Sequence, residues 1–277
     1  MKLNRRQVIA SALAAGVSSS FTRSATAMTK SADELKKQLE MLGLSGSEPA
    51  SIVVPGSEFN GGLRYDESHV SVPRGTYLLQ PCARIGDIAE KGRTGVLPLF
   101  HIARVDWQEG TSAEDGLAKS LTLLTNGFGL DSNRLAVVGI PILDTYRAGF
   151  EAAGIPESRI FRRPLEEAKA AGDGSGIFRH PEDGKIEFAT AAVYFSMAEN
   201  PSDEISSYPL SENWLEIGEI ALDQSIPLGA GFGVERLLFA LGGTLPEWDT
   251  QKNLLLEMID READDNIPPG KMLFQKS

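Results

Sequence analysis

The chain has one cysteine, Cys82, and three histidines, His69, His101 and His180, in 277 residues. A single thiol excludes an intrachain disulfide and any zinc site built from cysteines. The histidines lie far apart without metal-ligand spacing, so each reads as a surface or internally satisfied side chain. Cys82 follows Pro81 in an apolar setting and reads as a small core residue. Basic residues are in deficit: 27 Lys and Arg against 38 Asp and Glu give a formal net charge of -11. That balance argues against a nonspecific polyanion binder, while leaving room for a small cationic groove. No apolar run reaches the roughly 18–20 residues that span a bilayer, so no membrane association is expected. With 42% hydrophobic residues the chain can bury a proper core, which excludes a disordered polypeptide. Its length suits one large domain, or one domain with appendages.

Residues 1–27 look like a targeting segment. Lys2, Arg5 and Arg6 form a basic start, Val8 to Val17 a short apolar stretch, and Ala25-Thr26-Ala27 a small-residue cleavage site. The Arg5-Arg6 pair resembles a twin-arginine export signal, and Arg23 near the cleavage point fits that route. A genuine leader implies a periplasmic protein, whereas translation from Met28 implies a cytoplasmic one. In either case residues 28–277 form the folded domain.

Ser31 with Glu34 reads as a capping box, followed by Leu35, Leu39 and Leu42 at helical spacing and Gly43 as a stop. Gly46 to Pro73, rich in Gly, Ser and Pro, predicts loops and edge strands, Ser51 to Val54 among them. From Gly75 onward strands and helices are expected in turn. Thr76 to Gln80 reads as a strand and the segment up to Lys91 as a helix. Leu97 to Val105 and Leu121 to Asn126 read as two β-rich runs, joined by a polar loop containing Gly110 to Lys119. Ile142 to Ala153 predicts a helix with Leu143, Tyr146 and Phe150 on one face, and Leu165 to Ala171 another. Ala170 to Gly176 reads as a flexible link. Two further strands, Ile186 to Phe195 and Trp214 to Leu222, precede a glycine run. A last helix over Asp249 to Ala263 would bury Leu254, Leu255, Met258 and Ile259. The pattern is that of an α+β protein with an antiparallel sheet flanked by helices.

The most specific stretch is Gly229-Ala230-Gly231-Phe232-Gly233-Val234-Glu235-Arg236-Leu237-Leu238. Glycines at alternate positions strip one face of a strand of side chains, so a flat ligand can lie on the backbone. Arg236, at the start of the helix that follows, would sit at the edge of that bare face and reach an anionic group. A dinucleotide fingerprint is excluded by spacing, because its third glycine would fall on Val234. A plain alternative is a glycine-rich turn that lets a helix pack close to a sheet.

These ten residues resemble motif 3 of the class II aminoacyl-tRNA synthetases, in the pyrrolysyl and phenylalanyl branch. Leu79-Gln80-Pro81 is similar to the Leu-Arg-Pro of that branch. Phe100 to Glu109 resembles motif 2, and Trp214-Leu215-Glu216-Ile217-Gly218 the strand ahead of motif 3. The resemblance covers roughly residues 76–243 in the family's order. It implies a class II synthetase-like core that uses ATP and Mg2+ to activate an amino acid or similar carboxylate through an adenylate. Gly229, Gly231 and Gly233 would floor the adenine site, Arg236 would hold phosphate and Glu216 the metal, and Glu109 would contact substrate or nucleotide. The arginine expected in motif 2 falls on Trp107, which offers a ring for stacking rather than a charge. Arg104, three residues earlier, faces the opposite side of a regular strand from Trp107. Acceptance by tRNA is possible, although no tRNA-binding domain is visible, and family habit suggests a homodimer. The rival implication is an exported, non-ligating paralogue that binds a small molecule or regulates a partner.

Overall fold

The computed structural model describes residues 32–54, 58–59, 75–84, 89–108, 110–179, 187–198, 201, 208, 210–222 and 229–262. The leader, Met28, Ser31 and Glu109 lie outside the described residues.

Helix α1 (Ala32–Met41) turns Leu35 and Leu39 into the core and ends at Gly43, whose φ is 80°. Strand β1 (Ser45–Ser47) follows, then a two-stranded ribbon of β2 (Val53–Val54) and β3 (Glu58–Phe59). The main sheet continues with β4 (Thr76–Cys82) and β5 (Phe100–Asp106). Of the segment read as a helix up to Lys91, residues 85–88 lie outside the described residues; Ala83 and Arg84 are irregular, and a short helical turn stands at Glu90.

The segment after β5 departs from expectation. Residues read as a polar loop and a β-rich run form helix α2 (Ala113–Thr122), which runs on into a wide turn over Leu123–Gly127. Ser112 caps it, its Oγ accepting from the Asp115 N–H at 3.1 Å. Glu114 and Asp115 sit in the first turn, where acids complement the helix dipole. Ala113, Leu117, Leu121 and Leu124 recur at helical spacing, and all are buried. Periodicity of 3.6, not 2, governs the run.

Strand β6 (Leu135–Gly139) was not foreseen. All five of its residues are buried, so it shows no alternation to betray it. A 3-10 turn over Pro141–Tyr146 leads into helix α3 (Arg147–Ala153), which carries the chain over to β7 (Ile160–Arg162), parallel to β6. Helix α4 (Leu165–Ala171), strand β8 (Ile177–Arg179), the long β9 (Glu187–Ser196) and β10 (Trp214–Ala221) come next. The glycine run is β11 (Gly229–Gly233), followed at once by α5 (Val234–Ala240) and then by α6 (Trp248–Glu262). On α6, Leu255 and Ile259 are buried, but Leu254 is exposed.

The nine strands of the main sheet run in the order β1-β4-β5-β11-β10-β9-β6-β7, with β8 paired to β9. The central six are antiparallel, while β1–β4 and β6–β7 are parallel. The sheet is therefore mixed and open rather than wholly antiparallel. Each parallel edge pair uses a long crossover, since a tight hairpin cannot join parallel strands.

Register assigns the two faces. Leu79, Ala103, Phe232, Gly218, Val193 and Val137 align on one face. There they pack with Leu117, Leu121, Leu124, Phe128 and Phe150 in the principal core. Each such large side chain contributes roughly 1.5–3 kcal/mol when fully buried. The other face carries the glycines.

Candidate functional site

Partners directly opposite one another across a sheet point to the same side. One row therefore reads Leu78, Arg104, Gly231, Glu219, Ala192, Val138 and Phe161 from β4 to β7. Rows on either side of it bring Asp106 beside Gly229 and Ile102 beside Gly233. The face away from the principal core is thus a glycine strip with charged residues on both flanks.

Glu216 joins that face through an irregularity. It pairs with Tyr194, yet Gly218 already pairs with Val193, so Ile217 is an extra residue in β10. A β-bulge resets the alternation. Glu216 and Glu219, which an unbroken strand would turn to opposite faces, point the same way. Partial burial, with 39% of the side chain still exposed, raises the Glu216 carboxyl above the usual glutamate range, with Arg236 and then Arg84 pulling it down. Burial, then the like charge of Glu216, pushes Glu219 up to about 8. Glu219 Oε1 is buried and has no hydrogen-bond partner. Removal of such an oxygen from water without replacement is costly.

Arg236 and Glu216, singled out from the sequence, are brought together. The Arg236 Nε donates to the Gly95 carbonyl at 2.9 Å, and Nη1 donates to the Glu216 carbonyl at 3.1 Å. Nη1 also lies 3.8 Å from Glu216 Oε2, and the arginine side chain stays 30% exposed. Its stem lies over Gly233, where a Cβ would stand 3.6 Å from the arginine Cδ. The preceding Glu235 is structural. It is buried and accepts from the His101 N–H at 2.9 Å, with the His101 Nδ1 2.8 Å from its other oxygen. That pair fastens the start of α5 to the start of β5.

The three glycines do not serve alike. A Cβ at Gly229 would overlap the Val105 carbonyl oxygen and lie 3.0 Å from Asp106 Oδ1. Close backbone approach accounts for this glycine without a ligand. Gly231, half-buried, keeps the open part of the strip, and the Arg236 stem covers Gly233 beside it.

Trp107 lies away from the glycine face. Its indole Nε1 donates to Ser120 Oγ at 2.9 Å, and the ring packs against the principal core beneath α2. Arg104, on the opposite side of β5, is the residue that shares the glycine face. It is 4% exposed and forked onto Asp106, with Nη2 3.0 Å from Oδ1 and Nε 2.8 Å from Oδ2. Gln80 is engaged by the backbone. Its amide donates to the Ala50 carbonyl at 3.1 Å and accepts from the Ala50 N–H at 2.9 Å. The sequence offered no sign of Arg84, whose guanidinium stacks 5.1 Å above the Phe100 ring. Glu219 had one visible cue: Gly218, a glycine inside a strand, marks a bulge or a close approach.

Among the described residues no group of three or more His, Cys, Asp or Glu could hold a metal ion. Among them, too, no helix is long and apolar enough to cross a membrane. No protein-family model matches the chain, and neither does any curated protein sequence.

Proposed function

We propose that the glycine face seats ATP or an adenylate, and that the chain is a divergent class II synthetase-like core activating an amino acid or similar carboxylate. The observation that carries this reading is the row in which Gly231 lies between Arg104 and Glu219, with Glu216 and Arg236 beside it. A purine can stack on the backbone of Gly231, with the Arg236 stem over Gly233 at its edge. Arg236, half-exposed and already oriented by two carbonyls, is positioned to meet a phosphate. The antiparallel strands β4, β5, β11, β10 and β9, in that spatial order, support the synthetase-like assignment.

Mg2+ fits the donor set in a limited way. It takes one or two carboxylates and completes its shell with phosphate oxygens and water. Glu216 and Glu219 would be those carboxylates, and a cation there would offset the Glu216 charge that, after burial, raises the Glu219 pKa. When bound, the metal would neutralise charge that develops on the phosphates during transfer. The chain's own residues bind and orient. Arg236 holds phosphate, the glycine strip keeps the base flat, and the Arg104–Asp106 fork keeps β5 rigid beside it.

Binding of Mg-ATP by the 28–277 protein should be saturable. An Arg236→Ala variant should weaken it by about 10- to 100-fold, the range for one hydrogen bond to a charged group. Exchange of pyrophosphate into ATP that depends on an added amino acid or carboxylate tests the activation step.

A second reading, a non-ligating paralogue that binds a small molecule, is favoured by Gln80 and Trp107. Both positions at which the resemblance expects a cation are engaged in holding the fold together. Nucleotide binding without exchange would select this reading. No binding of nucleotide would remove the first reading.

A further inference from the structure

With Arg236 fixing the phosphate end of a ligand, its acyl end has two directions across the sheet. Toward β4 the way is closed, because Arg104, Asp106 and Gln80 are 4%, 1% and 2% exposed. Toward β9 the face passes over Glu216 and Glu219 and then meets Tyr194, the register partner of Glu216. Beyond Tyr194 the floor is Ala136, Val138 and Ala192, all small side chains, and the space above them is filled. All three are completely buried under Tyr194, with Phe161, Tyr208, Leu210 and Trp214 packed around them.

That cover is anchored. The Tyr194 hydroxyl lies 2.8 Å from Ser175 Oγ and 3.4 Å from the Tyr208 hydroxyl. Asp173 accepts from Tyr208 at 3.1 Å and from Arg163 at 2.7 Å, and Thr190 donates to the Gly174 carbonyl at 3.0 Å. The link containing Gly172, Gly174 and Gly176, with φ of 60°, 84° and 103°, is therefore a pinned wall rather than a flexible connection. It overhangs the site closely enough that a Cβ at Gly174 would stand 3.7 Å from Glu219 Oε1.

We infer that Tyr194, held by Ser175, sets specificity on this face and restricts it to small acyl groups. The inference rests on the nucleotide-binding reading above. Stable sulfamoyl analogues of adenylates provide the probes: glycyl-sulfamoyl adenosine and phenylalanyl-sulfamoyl adenosine, titrated calorimetrically into the full chain. The unaltered protein should prefer the glycyl probe by about a hundredfold, the scale on which a filled pocket discriminates. Tyr194→Ala should bring that preference below about tenfold by a gain in affinity for the phenylalanyl probe, which a misfolded variant cannot give. Tyr194→Phe keeps the ring and should keep the preference. Equal binding of both probes to the unaltered protein overturns the size restriction and leaves nucleotide binding intact. A folded Tyr194→Ala variant without the gain also overturns it. Binding of neither probe overturns the nucleotide reading and this inference together.

Discussion

The Glu219 carboxyl makes folding itself depend on pH in a direction opposite to that of an ion-paired acid. Its pKa is pushed from 4.5 to about 8, first by burial and then by the like charge of Glu216. Between these values the folded state holds a proton that the unfolded chain has released. Its stability contribution is therefore most favourable below about pH 4.5, falls as pH rises to about 8, and levels off above. At about 1.4 kcal/mol per pH unit the full shift corresponds to at most about 5 kcal/mol. Partial solvent access to the side chain reduces this to a few kcal/mol. Glu219→Gln removes the titration while keeping the shape. Urea unfolding of both proteins should give stabilities within about 1 kcal/mol of each other near pH 5. Near pH 9 the Gln variant should be the more stable by about 2–3 kcal/mol. The subtraction isolates Glu219, apart from its coupling to Glu216. Parallel stability profiles across this range would refute a buried, proton-holding carboxyl on the glycine face.

Gly229→Ala should cost about 3 kcal/mol or more in chemical denaturation, because the Val105 carbonyl cannot move aside. Gly233→Ala should stay within about 1 kcal/mol, since only the flexible Arg236 stem lies near; equal costs would mean that the two glycines are not distinguished by their surroundings. Trp107→Phe removes the bond to Ser120 and should cost about 1 kcal/mol of stability. It should leave ATP affinity unchanged, and a loss of affinity in the folded variant would place the indole in the binding site. Cys82 is fully buried and burial pushes its thiol up to about 12. It should resist thiol reagents in native buffer at neutral pH and react fully in denaturant; rapid native labelling would contradict the burial.

Much of the architecture was legible because local pattern and tertiary placement agree. Leu35 and Leu39 on α1, Leu165–Ala171 as α4, and the strand–helix junction from Gly229 to Ala240 follow from periodicity, capping and glycine stops. The errors have two causes: burial on both sides erases the pattern of β6, and a short window hides the helical phase that runs through α2. Leu135–Gly139 is apolar throughout and carries no phase, while Leu121–Asn126 reads as a strand unless α2 before it supplies the helical phase.

By itself the sequence determined an α+β chain with an acidic surface, one inert thiol, and a glycine strip joined to an arginine-bearing helix. Tertiary structure alone decided which charges share that strip. A single bulge at Ile217 brings Glu216 and Glu219 onto one face, while the parity of β5 keeps Arg104 there and sends Trp107 into the helix-covered core. The physical reason is the two-residue period of a strand: one inserted residue exchanges the faces of everything beyond it, and only pairing with neighbouring strands fixes where that insertion falls.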